Sequence, residues 1–167
     1  MAPTKIPPGF QPFRHDRVLL ELLHDSYKMR GKLPEPTVCS GCGAVYHAGR
    51  WQWMPAPENA HQHTCPACHR MQDQYPAGYV FIKGDFFAAH RDEILRLVQH
   101  QETREKAEHP LQRIMGIENL EDGGVLVTTT DIHLARGLGE ALRHAFQGNL
   151  ALHFHPEESL LRVSWER

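Results

Sequence analysis

The sequence lacks the features that mark several large classes of protein. None of its apolar runs approaches the roughly 18 to 20 residues of a membrane span, and the first residues contain no apolar signal-peptide core. We therefore expect a cytoplasmic protein without a membrane partner. A nucleophile elbow, a P-loop, a glycine-rich dinucleotide loop and a metalloprotease helix are also missing. These absences favour a protein that is not an enzyme.

A strong charge of one sign is missing as well. The formal net charge of -2 excludes a uniformly basic nucleic-acid-binding protein. The two halves differ, however: residues 1 to 83 carry nine Lys/Arg and six Asp/Glu, a net of +3, whereas residues 84 to 167 carry nine and fourteen, a net of -5. Any phosphate-binding surface is therefore expected to be local.

Only four cysteines are present, and they form two pairs, VCSGC at 38 to 42 and TCPAC at 64 to 68. Each Cys-x2-Cys turn places two thiolates close enough to share one metal ion, and tetrahedral zinc needs two such turns face to face. Gly41 and Gly43 suit the tight backbone of the first turn. The spacing predicts one structural zinc ion bound by four ligands, namely Cys39, Cys42, Cys65 and Cys68.

Other uses of the cysteines fit less well. Disulfides suit exported proteins, and a catalytic dithiol needs only one Cys-x2-Cys. Four thiolates also close the shell that a catalytic zinc ion keeps open. Replacement of one thiolate by His61, His63 or His69 remains an alternative.

The segment AVYHAGRWQW between the pairs predicts a hairpin that turns at Ala48 and Gly49. Arg50, Trp51 and Trp53 on its second strand are candidates for RNA binding, because aromatic rings and guanidinium groups stack on exposed bases. The alternative is that the tryptophans cover the metal site and dock it to the next domain.

Residues 1 to 37 are rich in proline and leave room for one helix, around residues 16 to 29. They form a basic arm that we expect to contact RNA phosphates, with a solvated tail as the alternative. Its candidate phosphate contacts are Lys5, Arg14, Arg17, Lys28, Arg30 and Lys32.

The remaining sequence alternates strand and helix patterns. We expect strands at 78–84, 111–119, 124–130, 150–156 and 159–167, and helices that start at Asp85 and after Thr130 or Asp131. The order β-α-β-β-α-β-β predicts an α+β fold in which a four-cysteine zinc ribbon (38–84) precedes a ferredoxin-like antiparallel sheet with two helices on one face (85–167).

Two histidine-containing groups could carry chemistry. Asp131, His133 and Arg136 lie near a predicted helix start, where capping already explains Asp131. His153 and His155 share one face of a predicted strand. They could form a second metal site, and the alternative is that both are exposed side chains.

The tract CPACHRMQDQYPAGYVFIKG, together with the paired cysteines, resembles the zinc-knuckle region of the archaeal and eukaryotic export adaptor of the large ribosomal subunit. The whole chain is similar to a group of small bacterial zinc-ribbon proteins, through KLPEPTVCSGCGAVYHAGRWQW and HPLQRI. The resemblance implies the same four cysteine ligands and makes ribosomal RNA an expected partner.

These observations favour a zinc-stabilised protein that binds structured RNA or the ribosome. The alternative is a protein-protein adaptor whose acidic second half binds a basic partner.

Overall fold

The computed structural model describes Gln11–Pro12, Tyr27 and residues 31–167. The predicted helix around residues 16 to 29 lies outside this part of the chain, Tyr27 excepted. The described residues form two β-sheets and four α-helices. The helices are α1 (Pro66–Asp73), α2 (Asp85–Ala89), α3 (Arg91–Glu108) and α4 (Ile132–Phe146). The strands are β1 (Gln11–Pro12), β2 (Thr37–Val38), β3 (Val45–His47), β4 (Arg50–Gln52), β5 (His61–Gln62), β6 (Gly78–Lys83), β7 (Ile114–Asn119), β8 (Val125–Thr129), β9 (Asn149–His155) and β10 (Leu160–Glu166).

The larger sheet has six strands in the order β1-β9-β10-β6-β8-β7. All neighbouring strands in it are antiparallel except β10 and β6, which run parallel over Leu161↔Gly78 to Glu166↔Lys83. The prediction of an antiparallel sheet is wrong for this pair. The final hairpin joins the sheet through β10 rather than β9, so the last strand takes the direction of β6.

The core of the molecule lies between this sheet and the helices. On β6, β8 and β10 every second residue is buried, as expected when one face of a sheet packs on helices. Helix α4 supplies buried leucines at positions 134, 138 and 142. It approaches closely, since a Cβ built on Gly139 would lie 2.6 Å from Val163 and one on Gly78 would lie 2.4 Å from Ala135.

A helix begins at Asp85, as the sequence pattern predicts, although Gly84 rather than Asp85 is its N-cap and the helix is not continuous. The chain forms the short helix α2 first, breaks at His90 with φ −121° and ψ 26°, and then continues as α3. Three helices, not two, therefore pack with the larger sheet. None of the helices in the described part of the chain has the length and apolar character needed to cross a membrane.

The smaller sheet has the strand order β4-β3-β2-β5, and the two cysteine pairs follow its parallel strands β2 and β5. Its hairpin turns at Ala48 (φ 52°) and Gly49 (φ 78°), where the sequence predicts the turn. The Glu35 carboxylate accepts hydrogen bonds from both turn amides, at 3.1 and 2.8 Å. Strand β6, which the predicted boundary at residue 84 groups with this region, pairs instead with β8 and β10 in the larger sheet.

Candidate metal centre and the adjoining cavity

The four cysteines come together at one end of the smaller sheet. Their sulfur atoms all lie within 4.8 Å of one another, and no other group of three or more potential ligands forms such a cluster in the described residues. Cys39 and Cys65 are almost completely buried, at 1% and 0% exposure, and all four cysteines are free. The predicted ligand set is therefore also the set that the fold brings together.

The first pair of cysteines sits on a tight turn after β2. The Cys39 amide donates to the Ala44 carbonyl at 2.8 Å, and the Gly43 amide, at φ +80°, donates to the Cys39 carbonyl at 2.9 Å. A Cβ built on Gly41 would lie 2.9 Å from the Cys68 sulfur. Glycine at this position thus leaves room for the opposing thiol, and the positive φ of Gly43 is the conformation that favours glycine in the turn.

The second pair lies on a helix, α1, which the sequence analysis missed. Cys65 is its N-cap: its sulfur accepts from the Cys68 amide at 3.4 Å, and Pro66 occupies the first turn. Proline is favoured there because the first helical N–H groups have no partner within the helix. The helix start places Cys65 and Cys68 on adjacent positions of one turn, facing the first pair.

Arg113 connects the cysteine cluster to the larger sheet. Its Nη1 donates to Cys68 Sγ at 3.3 Å, while Nη2 donates to Cys42 Sγ at 3.1 Å and to Cys65 Sγ at 3.4 Å. Its Nε donates to the Pro110 carbonyl at 2.8 Å. The Pro110 carbonyl, just before β7, thus orients the guanidinium group. Its two terminal nitrogens donate to three sulfur atoms.

The backbone of Arg113 is also fixed by hydrogen bonds. Its amide donates to the Thr130 hydroxyl at 3.0 Å, and its carbonyl accepts from the Thr130 amide at 2.9 Å. Thr130 follows β8 directly and is buried. The position of this guanidinium relative to the cysteines therefore depends on the larger sheet.

The protonation of the cysteines follows from their surroundings. Burial raises the pKa of Cys65 and Cys68. For Cys39, burial also acts to raise the pKa, but hydrogen bonds from the backbone amides of Cys65, Cys42 and Gly41 outweigh it and lower the pKa to about 7. Metal ligation by the buried thiols hence displaces protons, so affinity for metal falls as the pH falls.

Burial opposes the charge of Arg113, yet its contacts with the thiolates keep its pKa above the ordinary value. It is therefore a permanent cation. A zinc ion with four thiolates carries a formal charge of about −2, which a buried guanidinium partly balances.

The cluster has the chemistry and the spacing of a tetrahedral thiolate site. Zinc–sulfur bonds of about 2.3 Å in a tetrahedron separate the sulfur atoms by about 3.8 Å, and the Cys42 and Cys65 sulfurs are 3.9 Å apart. Such a site suits a single zinc ion. Bound there, the ion would supply a fixed cross-link between the two cysteine pairs.

Histidine ligands do not join this cluster. The rings of His63 and His69 contact each other edge to face, with centroids 6.1 Å apart, but the compact group contains cysteines alone. The other predicted chemical candidates have structural partners. Asp131 caps α4 by accepting from the amides of His133 and Leu134 at 2.7 and 3.3 Å.

Arg136 pairs with Glu140 one turn further along α4, at 3.0 Å. His153 and His155 lie on β9 beside β10 and do not belong to a cluster of three ligands among the described residues.

The three predicted RNA-binding residues of the hairpin divide into two groups. Arg50 is exposed, and Trp51 is half-buried against the cysteine cluster, with the Tyr46 ring in edge contact at 5.6 Å between centroids. Trp53 lies past the end of β4, and its indole N–H donates to the Lys106 carbonyl of α3 at 2.7 Å. Trp53 therefore performs the docking role that was the alternative prediction for these tryptophans.

Most of the predicted arm contacts, Lys5, Arg14, Arg17, Lys28 and Arg30, lie outside the described residues, whereas Lys32 is exposed. The described parts of the arm contact the protein itself. Strand β1 pairs with β9 at Phe154 and His153. Tyr27 stacks on the Arg70 guanidinium at 4.3 Å and donates its hydroxyl to Asp73 at 2.7 Å.

A cavity of about 410 Å³ lies between the hairpin and the residues that precede Arg113. Trp51 and Leu111 line it and also pack against the cysteine cluster, so they separate the two sites. The lining combines Leu33, Pro66, Pro110 and Leu111 with Tyr46, Arg50, Trp51, His109, Gln112 and Asp131, besides Gly31 and Gly49. This cavity and the contacts of Arg113 with the cysteine cluster are features that the sequence analysis missed.

A weak signal for both features is present in the sequence. The tract HPLQRI at 109–114, quoted above for its resemblance to small zinc-ribbon proteins, contains Arg113 and four residues of the cavity wall.

No protein-family model, curated protein or solved structure matches this chain. Its function must therefore be inferred from the site itself.

Proposed function

We propose that this chain is a non-enzymatic, zinc-stabilised protein that binds structured RNA or the ribosome. The observation that carries the proposal is the position of Arg50 and Trp51. Arg50 is exposed and Trp51 is half-buried on β4, and both line the cavity; Trp51 also packs against the four-cysteine cluster. Guanidinium groups bind phosphate, and aromatic rings stack on bases.

The exposed cation supports a role in binding rather than in folding. Within the described chain, Arg50 has neither a hydrogen-bond acceptor nor a carboxylate partner in salt-bridge range, although its neighbours are well fixed. The amides of Ala48 and Gly49 are bound by Glu35, and the Gln52 side chain donates to the His47 carbonyl at 2.7 Å. A cation presented on an ordered turn is suited to a polyanion because little entropy is lost on binding.

The metal site would serve as a scaffold in this function. Four cysteine ligands leave no open coordination position for a substrate. The proposal includes a fold in which a four-cysteine zinc ribbon precedes a ferredoxin-like sheet with one inserted parallel strand. It also includes the resemblance to the zinc-knuckle region of the ribosomal export adaptor.

Sedimentation of cell extract tests the proposal. The protein should travel with ribosomal particles in a low-salt sucrose gradient and should move to the top as salt rises, because phosphate contacts release counterions. Arg50→Ala should weaken co-sedimentation, whereas Arg104→Ala, at an exposed position on α3, should not.

Free protein at the top of the low-salt gradient would contradict ribosome binding. Affinity capture with and without nuclease then separates the classes of partner. Partners bound through RNA are lost on digestion, whereas the partners of a protein-protein adaptor remain.

A further inference from the structure

We propose that the cavity above the cysteine cluster receives one unpaired nucleobase of the bound RNA, with the adjacent phosphate held by Arg50. This inference rests on the proposed RNA-binding function and names the part of the RNA that the site recognises. An unpaired base is a bulged, looped or single-stranded nucleotide whose ring is free to leave the stack.

The size of the cavity fits a group of this kind. Its volume of about 410 Å³ is near the lower end of the range of small-molecule sites. It is large enough for a base with its ribose. A base inside a helix is covered by its stacked neighbours and bonded to its partner, so its faces are not free to meet the cavity walls. A paired base would have to leave its helix first, so the site selects against continuous duplex.

The walls provide stacking surfaces at fixed positions. Trp51 is held from behind by the cysteine cluster and from the side by the Tyr46 ring, whose centroid lies 5.6 Å away at an interplanar angle of 61°. Pro66, Pro110 and Leu111 add apolar surface around these rings. An aromatic heterocycle gains most from such walls, because every base has a π-face that stacks.

The polar groups are placed where a nucleotide has polar atoms. Arg50 and His109 are exposed on the lining, where a phosphate can remain in solvent. Gln112 is half-buried and carries both a donor and an acceptor, which suits the hydrogen-bonding edge of a base.

The cavity lining contains one carboxylate, which would repel an anionic ligand. Hydrogen bonds and a helix N-terminus already stabilise its negative charge. Asp131 accepts hydrogen bonds from the first amides of α4, and the positive end of the helix balances its charge. The Asp131 carboxylate therefore repels a phosphate bound at Arg50 less than an uncompensated carboxylate would.

The test is a binding titration of the full-length, zinc-loaded protein with labelled RNA hairpins, in pairs that differ only by a single bulged base. Short single-stranded oligomers of each base and a continuous duplex complete the set. We expect the bulged hairpin to bind about 10-fold more tightly than its perfect counterpart, since one stacked base contributes on this scale.

Two cavity variants and two matched controls identify the site. Arg50→Ala should reduce the affinity for every RNA, while Gln112→Ala should reduce the preference among bases and spare the general affinity. Arg104→Ala and Gln99→Ala change exposed residues of the same types on α3 and should leave both properties unchanged. Zinc content and thermal unfolding are measured for each variant, so that misfolding is recognised.

The outcomes separate this inference from the proposed function. Binding that is equal for bulged and perfect hairpins, or that is unchanged in Gln112→Ala and Arg50→Ala, would overturn the cavity assignment and leave RNA binding in place. Absence of binding to every RNA in the set would overturn both. Retention of a nuclease-resistant protein partner that depends on the cavity variants would assign the cavity to a peptide instead.

Discussion

The two regions of this chain obtain their order from different sources. Between the larger sheet and its helices lies a continuous apolar core that includes Ile82, Leu138 and Trp165, all at 0% exposure. In the smaller region, the cluster around the thiols contains three cysteines and Ala67, with Cys42, Trp51 and Leu111 only partly buried around it, and the other buried apolar side chains are those of Leu33, Ala44 and Val45. A core of this size supplies little hydrophobic stabilisation. We therefore expect the smaller region to depend on metal ligation and on its contacts with the larger one.

Arg113 connects the smaller region to the larger one. It is part of the larger region by its backbone and part of the smaller region by its side chain, which contacts three of the four sulfur atoms. A small zinc region can thus use a cation from a neighbouring domain both to balance thiolate charge and to fix its own orientation.

The largest expected effect comes from removing a ligand. Cys65→Ser removes one of the four proposed ligands, while its hydroxyl can still cap α1, and structural zinc stabilises its fold by about 10 kcal/mol. Hydrogen exchange should show loss of protection in residues 37–73, while the strands of the larger sheet keep theirs. Ser40→Ala, next to a ligand but exposed, is the control and should retain zinc and protection.

Full zinc content in Cys65→Ser would contradict the four-cysteine assignment. Simultaneous loss of protection in both regions would contradict their separate sources of order.

The reverse experiment reduces the apolar core. Leu138 is completely buried on α4, and Leu138→Ala should lower the free energy of unfolding by about 3 kcal/mol through lost contacts and a cavity. Urea unfolding measures this change, and His133→Ala, exposed on the same helix, should have little effect. The cysteine cluster does not touch this side chain, so zinc binding by the folded variant should be unchanged. Weaker zinc binding would mean that the two regions are not independent.

The smallest effect is expected at the connection between the regions. Arg113→Lys keeps a positive charge but loses the fork of donors that contacts three sulfur atoms and the Pro110 carbonyl. Competition with a chelator should show zinc affinity reduced by about 10-fold, the usual scale for groups that support metal ligands. Arg104→Lys is the matched control, and equal affinities for Arg113→Lys and the unaltered protein would show that the sulfur contacts do not support the metal site.

Much of the fold could be predicted because it depends on local signals. The cysteine spacing identifies the cluster, Ala48-Gly49 identifies the hairpin turn, and Asp131 identifies the start of α4. Strands β6, β8 and β10 alternate buried and less buried residues, and the predicted ranges of all strands after residue 78 contain or nearly match those in the structure.

The remaining features depend on contacts that are distant in the sequence. The parallel pairing of β10 with β6 joins segments about 80 residues apart, and no periodicity specifies which strand of a hairpin enters a sheet. Arg113 lies 45 residues from Cys68, so its role is visible only after folding. Helix α1 is short and polar, and its cap is a cysteine, which does not belong to the usual capping residues.

The most direct test is the metal content of the purified protein, measured together with its thiols. We expect one zinc ion per chain, four thiols that resist modification until a chelator is added, and release of the ion as the pH falls. A metal-free, folded protein whose four thiols react freely would contradict the claim that a zinc ion holds the cysteine pairs, and with it the scaffold that presents Arg50 and Trp51.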